Sequence, residues 1–171
     1  MRRLLGFSVL LFSLATTAYA QSAPSTPHGA GDYFVYAGSY TNPTPTTKSE
    51  SKGIYAWRFD SKTGALTPIG LVAETVNPAH VWGHPNGAFL YAANWEDGTP
   101  GDHVSAFAID RHTGKLTLIN KVSAKGDRAN QVVLDPSGKL AATVTYNSGT
   151  FSVFGVEADG KLTEADRKSV V

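Results

Sequence analysis

No cysteine occurs in the 171 residues. That absence excludes a disulfide framework, a thiolate metal site and a lipid-bearing cysteine behind a leader, so stability has to come from packing. Charge of one sign is equally scarce: 15 Lys and Arg stand against 14 Asp and Glu, and no basic run exceeds the pairs Arg2–Arg3 and Arg167–Lys168. Nucleic-acid binding needs a basic stripe, and none is present. No apolar run reaches the roughly 20 residues of a stable membrane span, and no segment sustains the period of a helix. Nor is there a G-x-S-x-G elbow, an H-E-x-x-H pair or a complete phosphate-binding glycine loop. The five histidines form no H-E-x-x-H or other zinc-ligand pattern, so a zinc site has no support.

What is present begins as a leader. Arg2 and Arg3 form a charged start, Leu4 to Leu14 an apolar core, and Ala18-Tyr19-Ala20 an A-x-A cleavage site before Gln21. The expectation is a signal peptide over 1–20, cleaved after Ala20, and a periplasmic or secreted product with no membrane attachment. Residues 21–31 are rich in Ser, Pro and Gly and read as a tether that carries His28. Folded structure is expected from Asp32.

From there the chain repeats. GIYAWRFDSKTGALTPI from Gly53 is answered by HVSAFAIDRHTGKLTLI from His103 and by TFSVFGVEADGKLTEA from Thr150. Their turn glycines Gly64, Gly114 and Gly160 are spaced by 50 and 46 residues. A second series interleaves: AHVWGHPNGAFLYAANW from Ala79 matches NQVVLDPSGKLAATVTYN from Asn130. Each unit holds four short strands, the content of one propeller blade. In HPNG and DPSG the proline presets φ and the glycine accepts positive φ, which joins a blade's first two strands tightly. DSKTG and DRHTG join the third to the fourth, so Asp60, Asp110 and Asp135 read as turn-capping carboxylates.

The predicted fold is all-β, with strands near 33–39, 54–59 and 66–72, then 80–83, 88–93, 104–109 and 116–122, then 131–134, 140–145 and 151–156. The first unit lacks its innermost strand and the last stops as its fourth begins. Alternating aromatics such as Tyr55, Trp57, Phe59, Phe107, Phe151 and Phe154 are expected to pack between blades.

Against this frame, YAGSYT at Tyr36–Thr41, the stretch SKGIYAWRFDSKTGALTPIG, and NPAHVWGHPNGAFLYAANW resemble the lactonase family of seven-bladed β-propellers, which includes 6-phosphogluconolactonase-like enzymes. The resemblance runs from about Asp32 to Leu162, somewhat under half of a full member. It implies a partial propeller over 32–165 and, for the full-length parent, hydrolysis of a small-molecule lactone without metal or organic cofactor. Three positions depart from the family's pattern: Trp95 where Glu is frequent, Gln131 where His is, and Thr145 where Asn is. These departures leave a non-catalytic, ligand- or protein-binding propeller as the alternative.

Lactone hydrolysis needs a base to activate water and donors to stabilise the oxyanion. The loops entering each first strand and leaving each second strand share one face. Near it fall His80, Trp95, Glu96, Asp97, His103, Arg128, Asn130, Gln131, Tyr146 and Asn147. His80 is the candidate base and Arg128 the candidate anion-stabilising group. Trp95, Glu96, His103, Asn130, Gln131 and Asn147 are the candidate substrate contacts. His84 and His112 sit in turns and read as structural. Last, DRKSVV at 166–171 fits the repeat poorly. The codons GAT CGG AAG AGC GTC GTG followed by TAG encode it and match a sequencing adapter, so these residues are expected to be an assembly artefact; the nucleotide sequence decides this.

Overall fold

The computed structural model describes residues 32–42, 49–96, 102–165 and 167–170; the leader and tether lie outside them. Eleven strands form three antiparallel sheets and no helix occurs among the described residues. The first sheet is β1 (Asp32–Gly38), β2 (Gly53–Asp60) and β3 (Leu66–Glu74). The second is β4 (Pro78–Gly83), β5 (Phe89–Asn94), β6 (His103–Ile109) and β7 (Leu116–Ser123). The third is β8 (Ala129–Leu134), β9 (Leu140–Thr145), β10 (Thr150–Gly155) and β11 (Arg167–Val170). Strand order within each sheet follows the chain, and β4 lies beside β8 near the axis. These are blades, and blade 1 shows no innermost strand among the described residues.

One expectation is corrected. Blade 3 has a fourth strand: β11 pairs with β10 from Thr150↔Val170 to Val153↔Arg167, the register that β6 and β7 hold at His103↔Ser123. The reason is that β10 presents an open row of backbone groups, and any short extended segment satisfies them. Residue identity matters less there than in a buried strand.

The blades adhere through two buried clusters. Ile54, Ala56 and Val72 of blade 1 meet Leu90, Ala92 and Phe107 of blade 2. Tyr91, Ala93, Val104 and Ala106 of blade 2 meet Ala129, Val132, Ala141, Phe154 and Leu162 of blade 3. Alternation at strand spacing lets one blade fill both junctions: Phe107 faces blade 1, while Val104 and Ala106 face blade 3. In β3 and β7 a bulge skips Ile69 and Ile119, at equivalent places, and both pack against the cores.

A polar tie repeats as well. The Tyr36 hydroxyl donates to Gly114 O across the first junction, and the Tyr91 hydroxyl to Gly160 O across the second, both at 3.0 Å. Burial, with Asp110 and Asp159 adding to it, pushes both phenols up to about 12. Gly114 and Gly160 have φ of 75° and 85°, and a Cβ there would sit within 3 Å of the Phe34 and Phe89 rings. Positive φ and close ring approach together require glycine. His84 makes a third tie, Nε2 to Gly138 O at 3.1 Å.

The turn aspartates cap as expected. Asp60 Oδ1 accepts Lys62 N, Asp110 Oδ1 accepts His112 N and Thr113 N, and Asp135 accepts Ser137 N and Leu140 N. The Ser137 hydroxyl and these amides hold Asp135 down to about 2, below its ordinary 3.8. A depressed native pKa gives stability that is present above the unfolded value and lost as pH falls toward the native one. Acid titration should therefore show the chain losing stability between about pH 4 and 2. Asp135→Asn should flatten that decline when melting temperature is followed against pH.

Candidate functional site at the junction of blades 2 and 3

The residue that leads into each innermost strand has a left-handed backbone: Asn77 (φ 32°) before β4 and Arg128 (φ 60°) before β8. The carbonyl of each accepts the amide that follows the second strand, Trp95 N to Asn77 O and Tyr146 N to Arg128 O. Each is followed by a bulge, at Ala79 and at Asn130. Bulges and left-handed non-glycine residues concentrate where a side chain has to be aimed.

Both leading residues reach back to the preceding blade. Asn77 is buried and its Oδ1 accepts Thr41 N (2.9 Å), Thr41 Oγ1 (3.1 Å) and Asn42 N (3.2 Å). Arg128 instead lays its guanidinium 4.2 Å from the Trp95 ring centroid, and Tyr40 packs edge-on against the same indole at 5.2 Å. A cation over an indole is attracted by the ring's negative face, which restrains the guanidinium there. Beside it, Glu96 Oε1 lies 3.8 Å from His103 Nδ1, and Asp102 carries both Glu96 N and Ala129 N on its carboxylate. Asn77 Nδ2 and Trp95 Nε1 are buried donors with no acceptor among the described residues, groups that native structures seldom leave without a purpose.

Thus the structure brings together Trp95, Glu96, His103 and Arg128. The other candidates make contacts outside this group. His80 stacks on Trp82 (5.9 Å) and accepts Val132 N at Nδ1 across 3.5 Å, the long limit of a hydrogen bond. Asn130 is the exposed bulge residue. Gln131 borders a shallow depression with Val133, Val144 and Phe151 on the sheet surface turned away from blade 2. Asn147 gives its amide to Asp127 Oδ2 at 2.8 Å. Thr145 is buried and accepts Thr150 N at 3.0 Å, which closes the β9–β10 turn. Asp97 lies outside the described residues. Asp102 was not among the sequence candidates, although the repeat marks it: blades 1 and 3 have Lys52 and Gly149 in its place.

A cleft of about 520 Å³ opens on the opposite face, between β1 and β4. It is lined mainly by aromatic and aliphatic groups, and its polar members are committed, His84 to Gly138 O and Arg111 to Asn86 O. Among the described residues no group of three His, Asp or Glu converges as a metal site.

Residues 34–170 match the family described as "Lactonase, 7-bladed beta-propeller". The chain belongs to that lactonase family. The 6-phosphogluconolactonase of Bacillus subtilis is 35% identical over 130 residues, covering 76% of this chain and 35% of that protein. A solved structure from Bacteroides uniformis superposes with a TM-score of 0.72 at 32% identity, over 81% of this chain and 38% of the other. The periplasmic gluconolactonase of Pseudomonas aeruginosa gives 0.68 at 26% identity, over 81% and 39%. The lactonase-family chain described here therefore spans a little over a third of these proteins' length.

Proposed function

We propose that this chain supplies the first blades of a seven-bladed lactone hydrolase, exported from the cytoplasm, that opens a sugar or related lactone. The observation that carries the reading is the Arg128 guanidinium held over the Trp95 ring, 4.2 Å from its centroid, beside the Glu96–His103 pair. Water adding to the lactone carbonyl leaves negative charge on the carbonyl oxygen; the ring C–O bond then breaks and its oxygen takes a proton. A fixed guanidinium stabilises that charge with little reorganisation. In this reading Trp95, Glu96 and His103 border the substrate, and His80, on the innermost strand of blade 2, takes the proton from water. The long Val132 contact holds the His80 ring while leaving Nδ1 only weakly engaged. No metal or organic cofactor takes part. Export is supported by the leader in the sequence and by likeness to a protein described as a periplasmic gluconolactonase.

The test is hydrolysis of glucono-δ-lactone and its 6-phosphate by the complete ring. His80→Ala should cost about 10²-fold in rate with the fold intact. An unchanged rate returns His80 to a purely structural role. Absence of hydrolysis across a varied lactone panel ends the enzyme reading and leaves a ligand-binding propeller.

A further inference from the structure

Where a repeat dictates architecture, a chemistry-bearing residue that breaks the repeat is there for another reason. Position 102 is such a place: it holds Asp between the equivalents Lys52 and Gly149, and its neighbour His103 stands where the other blades have Gly53 and Thr150. We infer that Asp102 is the positioning residue of the site proposed above, a buried carboxylate that clamps the two blades and fixes Arg128 and Glu96 relative to one another.

Asp102 is 1% exposed. Oδ1 accepts Glu96 N at 2.8 Å, and Oδ2 accepts Ala129 N at 2.6 Å, 27 residues on in the next blade. Its own carbonyl accepts Ala124 N at 2.9 Å, which fixes Asp102 to the end of β7. Glu96 directly follows Trp95, and Ala129 directly follows Arg128. One side chain therefore holds the residue next to each member of the cation–aromatic pair, and the dipeptides Trp95-Glu96 and Arg128-Ala129 are pinned side by side. Charge-assisted bonds of this length are the stronger kind, and the one to Ala129 N is buried while that to Glu96 N is partly so. Blades 1 and 2 meet differently on this face: there Asn77 makes the crossing with its own amide. Asp102 thus frees the leading position of blade 3 to be an arginine.

Two substitutions test the clamp from opposite sides. Asp102→Asn keeps one acceptor but turns an NH₂ toward a backbone N–H. Ala129→Pro removes the N–H itself, and blade 2 shows that the backbone accepts proline there, since Pro78 holds the equivalent place behind left-handed Asn77. In the complete ring each should lower kcat per folded molecule by about 10- to 100-fold, well below the melting temperature, because small displacements of catalytic groups cost that much. The double variant should be little worse than either alone, since losing either of its two bonds already opens the clamp. Hydrogen exchange supplies a readout independent of catalysis: in Ala129→Pro, altered only in blade 3, the Glu96 amide of blade 2 should exchange about tenfold faster. If the ring hydrolyses no lactone yet Glu96 responds, the functional reading fails and the clamp stands. An unchanged Glu96 amide, or a folded Ala129→Pro with the parent's kcat, overturns the clamp.

Discussion

In the complete ring, Arg128→Asn should lower kcat/KM toward a lactone by about 10²- to 10³-fold, the cost of removing a preorganised oxyanion donor, while the melting temperature barely moves. The repeat supplies the reason for the second half. Asn77 occupies the same place in blade 2 with φ of 32°, and asparagine tolerates the left-handed region better than arginine does. Loss of the Arg128 contact with Trp95 costs about 1 kcal/mol, and the easier backbone offsets part of it. Arg128→Lys should recover little, because an ammonium cannot lie flat on an indole or present a planar fork. Steady-state kinetics beside thermal melts reads both halves. An asparagine variant with the parent's kcat/KM would move the chemistry to another blade.

Much of this fold is written in short-range signals. The turn glycines, the prolines of HPNG and DPSG and the strand alternation are local chemistry, and each blade reproduces them, so strand limits read from them agree with the structure within one or two residues for most strands. The tyrosine ties were not legible, because Tyr91 and Gly160 are 69 residues apart and only the packing of one blade on the next joins them. The site was legible as a face and not as a constellation. Trp95 and Arg128 both fell on it, but their stacking depends on the left-handed backbone at Arg128, which an arginine does not advertise. Asp102 hides for a different reason: its partners are backbone amides, which no residue type announces. Gln131 illustrates the converse, since the bulge at Asn130 changes the alternation that would have kept it facing the candidate site. The poor fit of DRKSVV to the repeat said little about pairing, since a blade's outermost strand is specified mostly by the open edge it completes.

Expressed alone, residues 21–171 should self-associate through the sheet surface of blade 3 that faces away from blade 2. Val133, Leu140, Val144 and Phe151 stand there at 42%, 51%, 37% and 40% exposure. The equivalents of Val144 and Phe151 in blade 2, Ala93 and Val104, are 0% exposed because blade 3 covers them. The surface therefore has the composition of a blade junction while standing open to water. A contiguous apolar patch of that kind favours association, and the twisted sheet beneath it is already shaped to receive another sheet. Sedimentation at about 10–100 µM should show species larger than the monomer. Phe151→Lys combined with Val133→Lys should shift the population toward monomer, since pairing two such surfaces would then bury unpaired charges. The unmodified chain behaving as a cooperative monomer across that range would contradict this. It would mean that the exposed surface of blade 3 is satisfied within one chain, and the open junction would lose its claim to be the place where the next blade packs.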